Sequence, residues 1–200
     1  MSPSETHKPQ PPGWTITISR QMGSLGMEVA QALADLLHYR KIRQELIVAA
    51  AQRAGTPEML LAFIDDLGLL DVCPSPESCL AFRTAIYELM HEYAAEGGVV
   101  IVGRAGQAIL KSHPDTLHVR VIAPAEVRAT RIANMHDISL ENALSQIEAS
   151  DEYRRKYLKR FYKVRWDDPE LYDLVLNTAR ISPGMAANLI REAMQHTFSN

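Results

Sequence analysis

Cysteine is scarce in this chain, charges of the two signs nearly cancel, and no apolar run is long. The two cysteines, Cys73 and Cys79, stand six apart with no histidine at metal-ligand spacing. That excludes a disulfide framework and a zinc site as organising features and points to reduced thiols in a cytoplasm. With 21 Lys and Arg against 24 Asp and Glu, the net charge is −3, so the chain as a whole has no electrostatic reason to bind nucleic acid polymers or anionic membranes. The longest apolar stretches fall far short of the roughly 20 residues a membrane helix needs, and a soluble protein is expected. Residues 1–13, with prolines at 3, 9, 11 and 12, lack the basic-then-apolar order of a secretory signal and read as a disordered tail. There is no internal repeat. What is present is 46% hydrophobic and 22% charged residues over 200 positions, enough to bury one substantial core over 14–200.

Along the chain, short β-branched runs alternate with helical periodicity. Residues 15–19 and 99–102, then 117–122 and 171–176, read as four strands. Residues 27–37 carry Val29, Ala30, Leu33, Ala34 and Leu37 at helical spacing. Two helices are predicted over 44–70, broken at Gly55-Thr56-Pro57, where Thr56 has the character of a cap with Pro57 in the first turn. Residues 77–95 form a helix stopped by Gly97-Gly98, and further helices fall at 125–134, 139–162 and 183–195. Strands separated by helices predict an α/β fold, a parallel sheet covered on both faces in three layers.

In such a sheet ligands gather beyond the carboxyl ends of the strands. The first strand ends in Ser19-Arg20-Gln21-Met22 and then Gly23-Ser24-Leu25-Gly26 before a helix begins. Strand, small-residue turn and helix together aim backbone N–H groups and the positive end of a helix dipole at one point, which suits a phosphate. Against the pattern G-x-x-x-x-G-K-[ST] ending at Gly26, Gln21 takes the place of the first glycine, Met27 of the lysine and Glu28 of the hydroxyl. The second strand ends in Gly103-Arg104-Ala105-Gly106. Arg104 therefore faces the same crevice with a planar fork of donors suited to paired phosphate oxygens. Arg128 and Arg131 share a helix face, and Arg154, Arg155, Lys159, Arg160, Lys163 and Arg165 crowd the next helical stretch among Tyr153, Tyr157, Phe161 and Tyr162. That mixture resembles a nucleic-acid surface, but the acidic balance and Glu148, Asp151 and Glu152 favour solvated ion pairs for most of it. A subset suits a cationic flap closing over a transferred phosphoryl group.

Ile16 to Glu28, Val99 to Gly106, His118 to Pro124 with Glu126 and Arg128, Asp151 with Arg154, and Tyr172 to Thr178 occur in an order that resembles the cytidylate kinase-like family, P-loop nucleoside monophosphate kinases in the broad sense. The resemblance runs from about Thr15 to Arg191. It implies a P-loop kinase core, a helical acceptor-binding insertion over 48–96 and a short lid over 128–165, with ATP and Mg2+ as cofactors and a small-molecule nucleotide as substrate. On that implication Ser19, Arg20, Gly23, Ser24, Leu25, Gly26, Met27 and Glu28 form the ATP-phosphate site. Arg104, Arg128, Arg131 and Asp151 serve the acceptor, and Arg20 and Arg154 act on the transferred group. Tyr39, Arg40 and Arg83 in the inserted region are further candidates for the acceptor phosphate.

The chain departs from the family pattern at three places. Leu25 replaces a glycine, Met27 replaces a basic residue, and Ala105 stands where cytidylate kinases carry an aspartate beside the arginine. Methionine offers no donor to a phosphate, and loss of one preorganised donor typically costs ~3 kcal/mol of transition-state stabilisation. Two functional expectations follow: a kinase acting on CMP or dCMP through a degenerate loop, or a nucleotide-binding regulatory protein that keeps the fold without useful turnover.

Overall fold

The apolar runs become five parallel strands in the computed structural model, which describes residues 13–57 and 75–197. In chain order the elements are β1 (Thr15–Arg20), α1 (Gly26–Leu37), β2 (Arg40–Ile42), α2 (Gln44–Ala54), α3 (Pro76–Glu96), β3 (Val99–Val102), α4 (Gly106–Ile109), β4 (Thr116–Ile122), α5 (Ala125–His136), α6 (Leu140–Tyr162), β5 (Leu174–Asn177) and α7 (Pro183–Thr197). The strand order is β2-β3-β1-β4-β5, so β1 lies at the centre. Its tip is flanked by the tips of β3 and β4, with Ile18 opposite Val102 and Arg20 opposite Val121.

The side-chain period of two divides the sheet between two cores. Ile16 and Ile18, Val100 and Val102, Leu117, Val119 and Val121 face α1 and α7, where Leu33, Ile190 and Met194 complete the packing. Val99 and Ile101 face α2, α3 and the end of α6, against Phe82, Met90, Leu158 and Trp166. A third, smaller cluster of Ala129, Ile132, Ala143 and Ile147 joins α5 to α6 beside the loop that follows β1. β3 is apolar and buried on both sides. The second face of β1 and β4 consists of Thr15, Thr17, Ser19, Thr116, His118 and Arg120, all buried, so a stripe of polar side chains runs under the sheet toward the strand tips.

The sheet has one more strand than the periodicity announces. Arg40-Lys41-Ile42 is too short and too charged to signal a strand, and it forms because β3 offers it a free edge, pairing Arg40 with Val99 and Ile42 with Ile101. Its polar residues suit an edge. The last strand starts at Leu174 rather than Leu171, since Pro169–Leu171 makes a 3-10 turn capped by Asp168. The helix expected after Pro57 lies outside the described residues. The sequence predicts reduced thiols; Cys79 instead is disulfide-bonded, and no described cysteine is free. A single bridge leaves no pattern of spacings to read, and Cys73 lies outside the described residues. Among the described residues no helix is long and apolar enough to cross a membrane.

The polar stripe has a measurable consequence at His118. Its ring sits 2.7 Å from the Thr17 hydroxyl, and its backbone N–H donates to Asp173 at 2.7 Å. Burial holds its pKa below the ordinary imidazole value, outweighing the upward pull of Asp173 and of a hydrogen bond to Leu110. The unfolded chain therefore binds the proton more readily than the folded one. Stability is complete above about pH 6.5 and falls as the pH drops through the lower folded value. Urea midpoints compared at pH 7.5 and 5 show a loss at the lower pH that His118→Asn reduces; an unchanged pH dependence in that variant refutes the assignment.

Candidate active site

Beyond Arg20 the chain turns through Gln21–Leu25 into α1. Leu25 caps the helix with a left-handed backbone at φ +58° and supplies no side-chain bond, a conformation that costs a non-glycine residue on the order of 1–2 kcal/mol. By contrast, Ser75 and Ser139 cap α3 and α6 through their hydroxyls. The first-turn N–H groups of α1 are thus left to an acceptor from outside the helix.

The loop carbonyls point the other way, into a set of clamps. Arg131 donates to the Gly23 carbonyl at 3.2 Å and to the Thr178 carbonyl at 2.7 Å, and the Thr178 hydroxyl donates to the Ser24 carbonyl at 2.7 Å. Ser24 itself is fully buried, its hydroxyl turned back to the Gln21 carbonyl at 2.8 Å. Arg128 donates to the carbonyls of Met22 (3.3 Å) and Ala123 (3.0 Å) and forms an ion pair with Asp151 at 3.0 Å, both partners buried. Gln21 closes the circuit, accepting from the Ala123 N–H at 3.1 Å and donating to Asp151 at 3.4 Å. The loop carbonyls are engaged from behind, and the Gln21 and Ser24 N–H groups donate to the Val121 and Gln21 carbonyls, so the first turn of α1 carries the N–H groups left for an outside acceptor.

Two hollows meet at this point. The first, about 310 Å3, lies over the loop and is bounded by Gly23, Leu25, Gly26, Met27 and Glu28 on one side and by Arg131, Ile132 and Met135 on the other. The second lies over the β3 tip, with Arg43, Arg104, Gln107, Tyr153, Tyr157 and Trp166 in its wall. Arg20 and Arg154 line both. No carboxylate is among the described residues lining the second hollow, which holds four arginines. Its free volume is only about 50 Å3, against roughly 300–1,000 Å3 for a ligand pocket. In this conformation the described residues leave too little room there for a nucleotide-sized acceptor.

Arg104 reaches its place through an unusual turn, because Gly103, Arg104 and Ala105 all have left-handed backbones, at φ +78°, +53° and +60°. The floor beneath it is the end of the polar stripe. Ser19 accepts from the Trp166 indole at 2.9 Å and from the Tyr172 hydroxyl at 3.4 Å, and Tyr172 also donates to the Trp166 carbonyl at 2.7 Å. Arg120 donates to that carbonyl and lies 4.3 Å from the centre of the Trp166 ring. Gln107 joins through Tyr172 at 3.3 Å.

The structure thus brings Arg20, Arg104 and Arg154 to one place and sets the loop residues beside them. Arg128 and Asp151 lie behind the loop, while Ser19 belongs to the floor of the second hollow. Tyr39, Arg40 and Arg83 are elsewhere: the Tyr39 hydroxyl accepts from the Trp14 N–H, Arg40 pairs with Glu96, and Arg83 lies over Phe161. The basic and aromatic residues of α6 separate by face. Tyr157 is buried, stacks with Tyr153 and meets Phe161 and Tyr162 edge-on, whereas Lys156, Lys159, Arg160 and Lys163 are exposed. Sequence reasoning did not identify Arg43, Gln107 or the bracing role of Gln21 and Thr178. Thr178 stood inside a noted motif, but Arg43 carried no signal. Among the described residues no three metal-ligating side chains cluster, and Glu28 is the carboxylate lining the loop-side hollow. One carboxylate beside a phosphate site fits Mg2+, which keeps several waters and takes phosphate oxygens as ligands.

A sequence profile of the cytidylate kinase-like family matches residues 15–180. A cytidylate kinase of Halobacterium salinarum is 28% identical over 179 residues, covering 90% of this chain and 88% of its own. That of Pyrococcus horikoshii is 34% identical over 105 residues, 52% of this chain and 54% of its own, so there the match spans about half the length of the relative. Among solved structures, an uncharacterized protein from Eubacterium ventriosum superposes with a TM-score of 0.71 at 19% identity, covering 91% of this chain and 98% of that one.

The clamp behind the loop makes an energetic prediction. Arg128→Met strands Asp151 as a buried, uncompensated carboxylate and costs about 3–5 kcal/mol in urea unfolding. Arg128→Met/Asp151→Leu removes both charges and recovers most of that loss; a double variant as unstable as the single one shows that the pair is not what links loop to helix.

Proposed function

The chain belongs to the cytidylate kinase-like family, and from that premise we propose that it transfers a phosphoryl group from ATP to a nucleoside monophosphate, with CMP and dCMP as acceptors. The observation that carries the reading is the sharing of Arg20 and Arg154 by the two hollows. A donor over the loop and an acceptor over the β3 tip would face each other across these two guanidinium groups. Phosphoryl transfer asks for that placement, because its transition state spreads negative charge over the moving group and catalysis is mostly positioning and electrostatic stabilisation.

In this reading the amides of residues 25–28 at the start of α1 bind the donor phosphates, with Arg131 beside them. Arg104 grips the acceptor phosphate. The base lies among Tyr153, Tyr157 and Gln107, with Ala105 where the family pattern has an aspartate. Glu28 would hold Mg2+ through its waters, and the ion would neutralise charge on the donor phosphates. Arg128 and Asp151 act through the loop they brace and do not touch substrate. Closure of α6 brings Arg154 in and expels water, which strengthens each of these interactions. The insertion at 48–96 and the lid at 128–165 are the acceptor-binding and closing parts, and the activity is cytoplasmic.

With ATP and Mg2+, the protein converts CMP or dCMP to the diphosphate, and Arg104→Ala lowers kcat/KM for the acceptor at least a hundredfold while the melting temperature stays within a few degrees. A coupled assay over the common nucleoside monophosphates checks this. Binding of ATP without transfer to any of them replaces the reading with that of a nucleotide-binding regulatory protein, which Met27 favours.

A further inference from the structure

We propose that Arg20, from the tip of the central strand, supplies the cation that the phosphate loop lacks at Met27, and that it contacts the phosphoryl group throughout the cycle while Arg154 arrives only on closure. The inference rests on the kinase reading and names the residue that makes an otherwise deficient loop competent.

The path of the Arg20 side chain is built into two separate turns. Its stem crosses Gly26, where an added Cβ would lie 2.9 Å from Arg20 Cγ. Its guanidinium reaches Gly103, where an added Cβ would lie 2.8 Å from Nη1. One glycine belongs to the loop-side turn and the other to the β3 turn, and the same side chain occupies the space that both leave. Its neighbours fix the direction: Ser19 is held by Trp166, and Gln21 by Ala123 and Asp151. Arg20 is therefore aimed across the junction of the two hollows by a strand end that cannot easily rotate.

The two shared arginines differ in what carries them. Arg154 is on α6, beside Ser150 and above the Trp166 ring, and it leaves with the helix when the second hollow opens. Arg20 is anchored in the sheet by the pairing of β1 with β4 and stays with the loop amides in both states. A lysine in the first turn of α1 would provide a resident charge of this kind. At that position Met27 contributes only apolar wall.

The test measures equilibrium binding of Mg·ATP by calorimetry and steady-state transfer to CMP, in the full chain, for wild type, Arg20→Ala, Met27→Lys and Arg20→Ala/Met27→Lys, with thermal unfolding as the check of fold. Arg20→Ala is expected to weaken ATP binding at least tenfold and lower kcat about a hundredfold or more. Restoring a cation in the loop, in Arg20→Ala/Met27→Lys, recovers at least tenfold of each, which a merely structural role for Arg20 does not allow. ATP binding and kcat unchanged in Arg20→Ala, or no recovery in the folded double variant, overturns the proposal. Transfer to CMP that is indifferent to Arg20 leaves the kinase reading standing and sinks this one. Arg20-dependent, Met27→Lys-rescued ATP binding without transfer to any acceptor does the reverse.

Discussion

The buried ion pair between Arg128 and Asp151 is the constraint on which the site depends. Arg128 reaches the Met22 and Ala123 carbonyls as well as Asp151, so one guanidinium joins the phosphate loop, the end of β4 and helix α6. Gln21 bonds to the same carboxylate and the same segment from the loop side. Such a pair is expensive to bury and gains little net stability, but it is intolerant of misplacement, since either charge left alone in a dry interior is strongly unfavourable. The loop then has one position relative to α6. The amides of α1 and the guanidinium of Arg154, which come from distant parts of the chain, depend on that position for their relative geometry.

Much of this was legible in the sequence because it depends on period and punctuation. The continuous run Val99–Val102 and the alternating Thr15–Arg20 specify strands, and glycine-flanked turns after each mark the strand tips, the end at which parallel α/β sheets bind ligands. The order of five segments is enough to identify the family. What escaped was whatever tertiary contact decides. β2 exists because β3 has an unfilled edge, and nothing in Arg40-Lys41-Ile42 says so. Arg128 and Asp151 are substrate-binding candidates by the family resemblance; that they form a buried pair behind the loop follows from how α5 packs on α6. Arg43 precedes α2 as an ordinary polar residue, and only the fold places it beside Arg104.

The division of β1 and β4 into an apolar and a polar face connects fold to chemistry. On one side Ile16, Ile18, Val119 and Val121 are core. On the other, Thr17, His118, Ser19 and Arg120 form a buried hydrogen-bonded stripe that ends in Trp166 and Tyr172 under the second hollow. A hydrophobic face there would leave the second hollow with a featureless floor. The stripe instead provides oriented dipoles in a low-dielectric setting, where they act more strongly than in water. It also carries the cation of Arg120, held over an indole ring by contacts that need no carboxylate.

The three successive left-handed residues at Gly103, Arg104 and Ala105 make the β3 turn a rigid jig. A backbone in this region has few neighbouring shapes to relax into, so the main chain fixes the direction in which Arg104 leaves the turn. Such precision comes at the expense of foldedness, on the order of 1–3 kcal/mol for each non-glycine residue held there. Variation at 104 and 105 is therefore pulled two ways: a glycine would ease the backbone and blunt the aim, whereas a β-branched residue would keep neither.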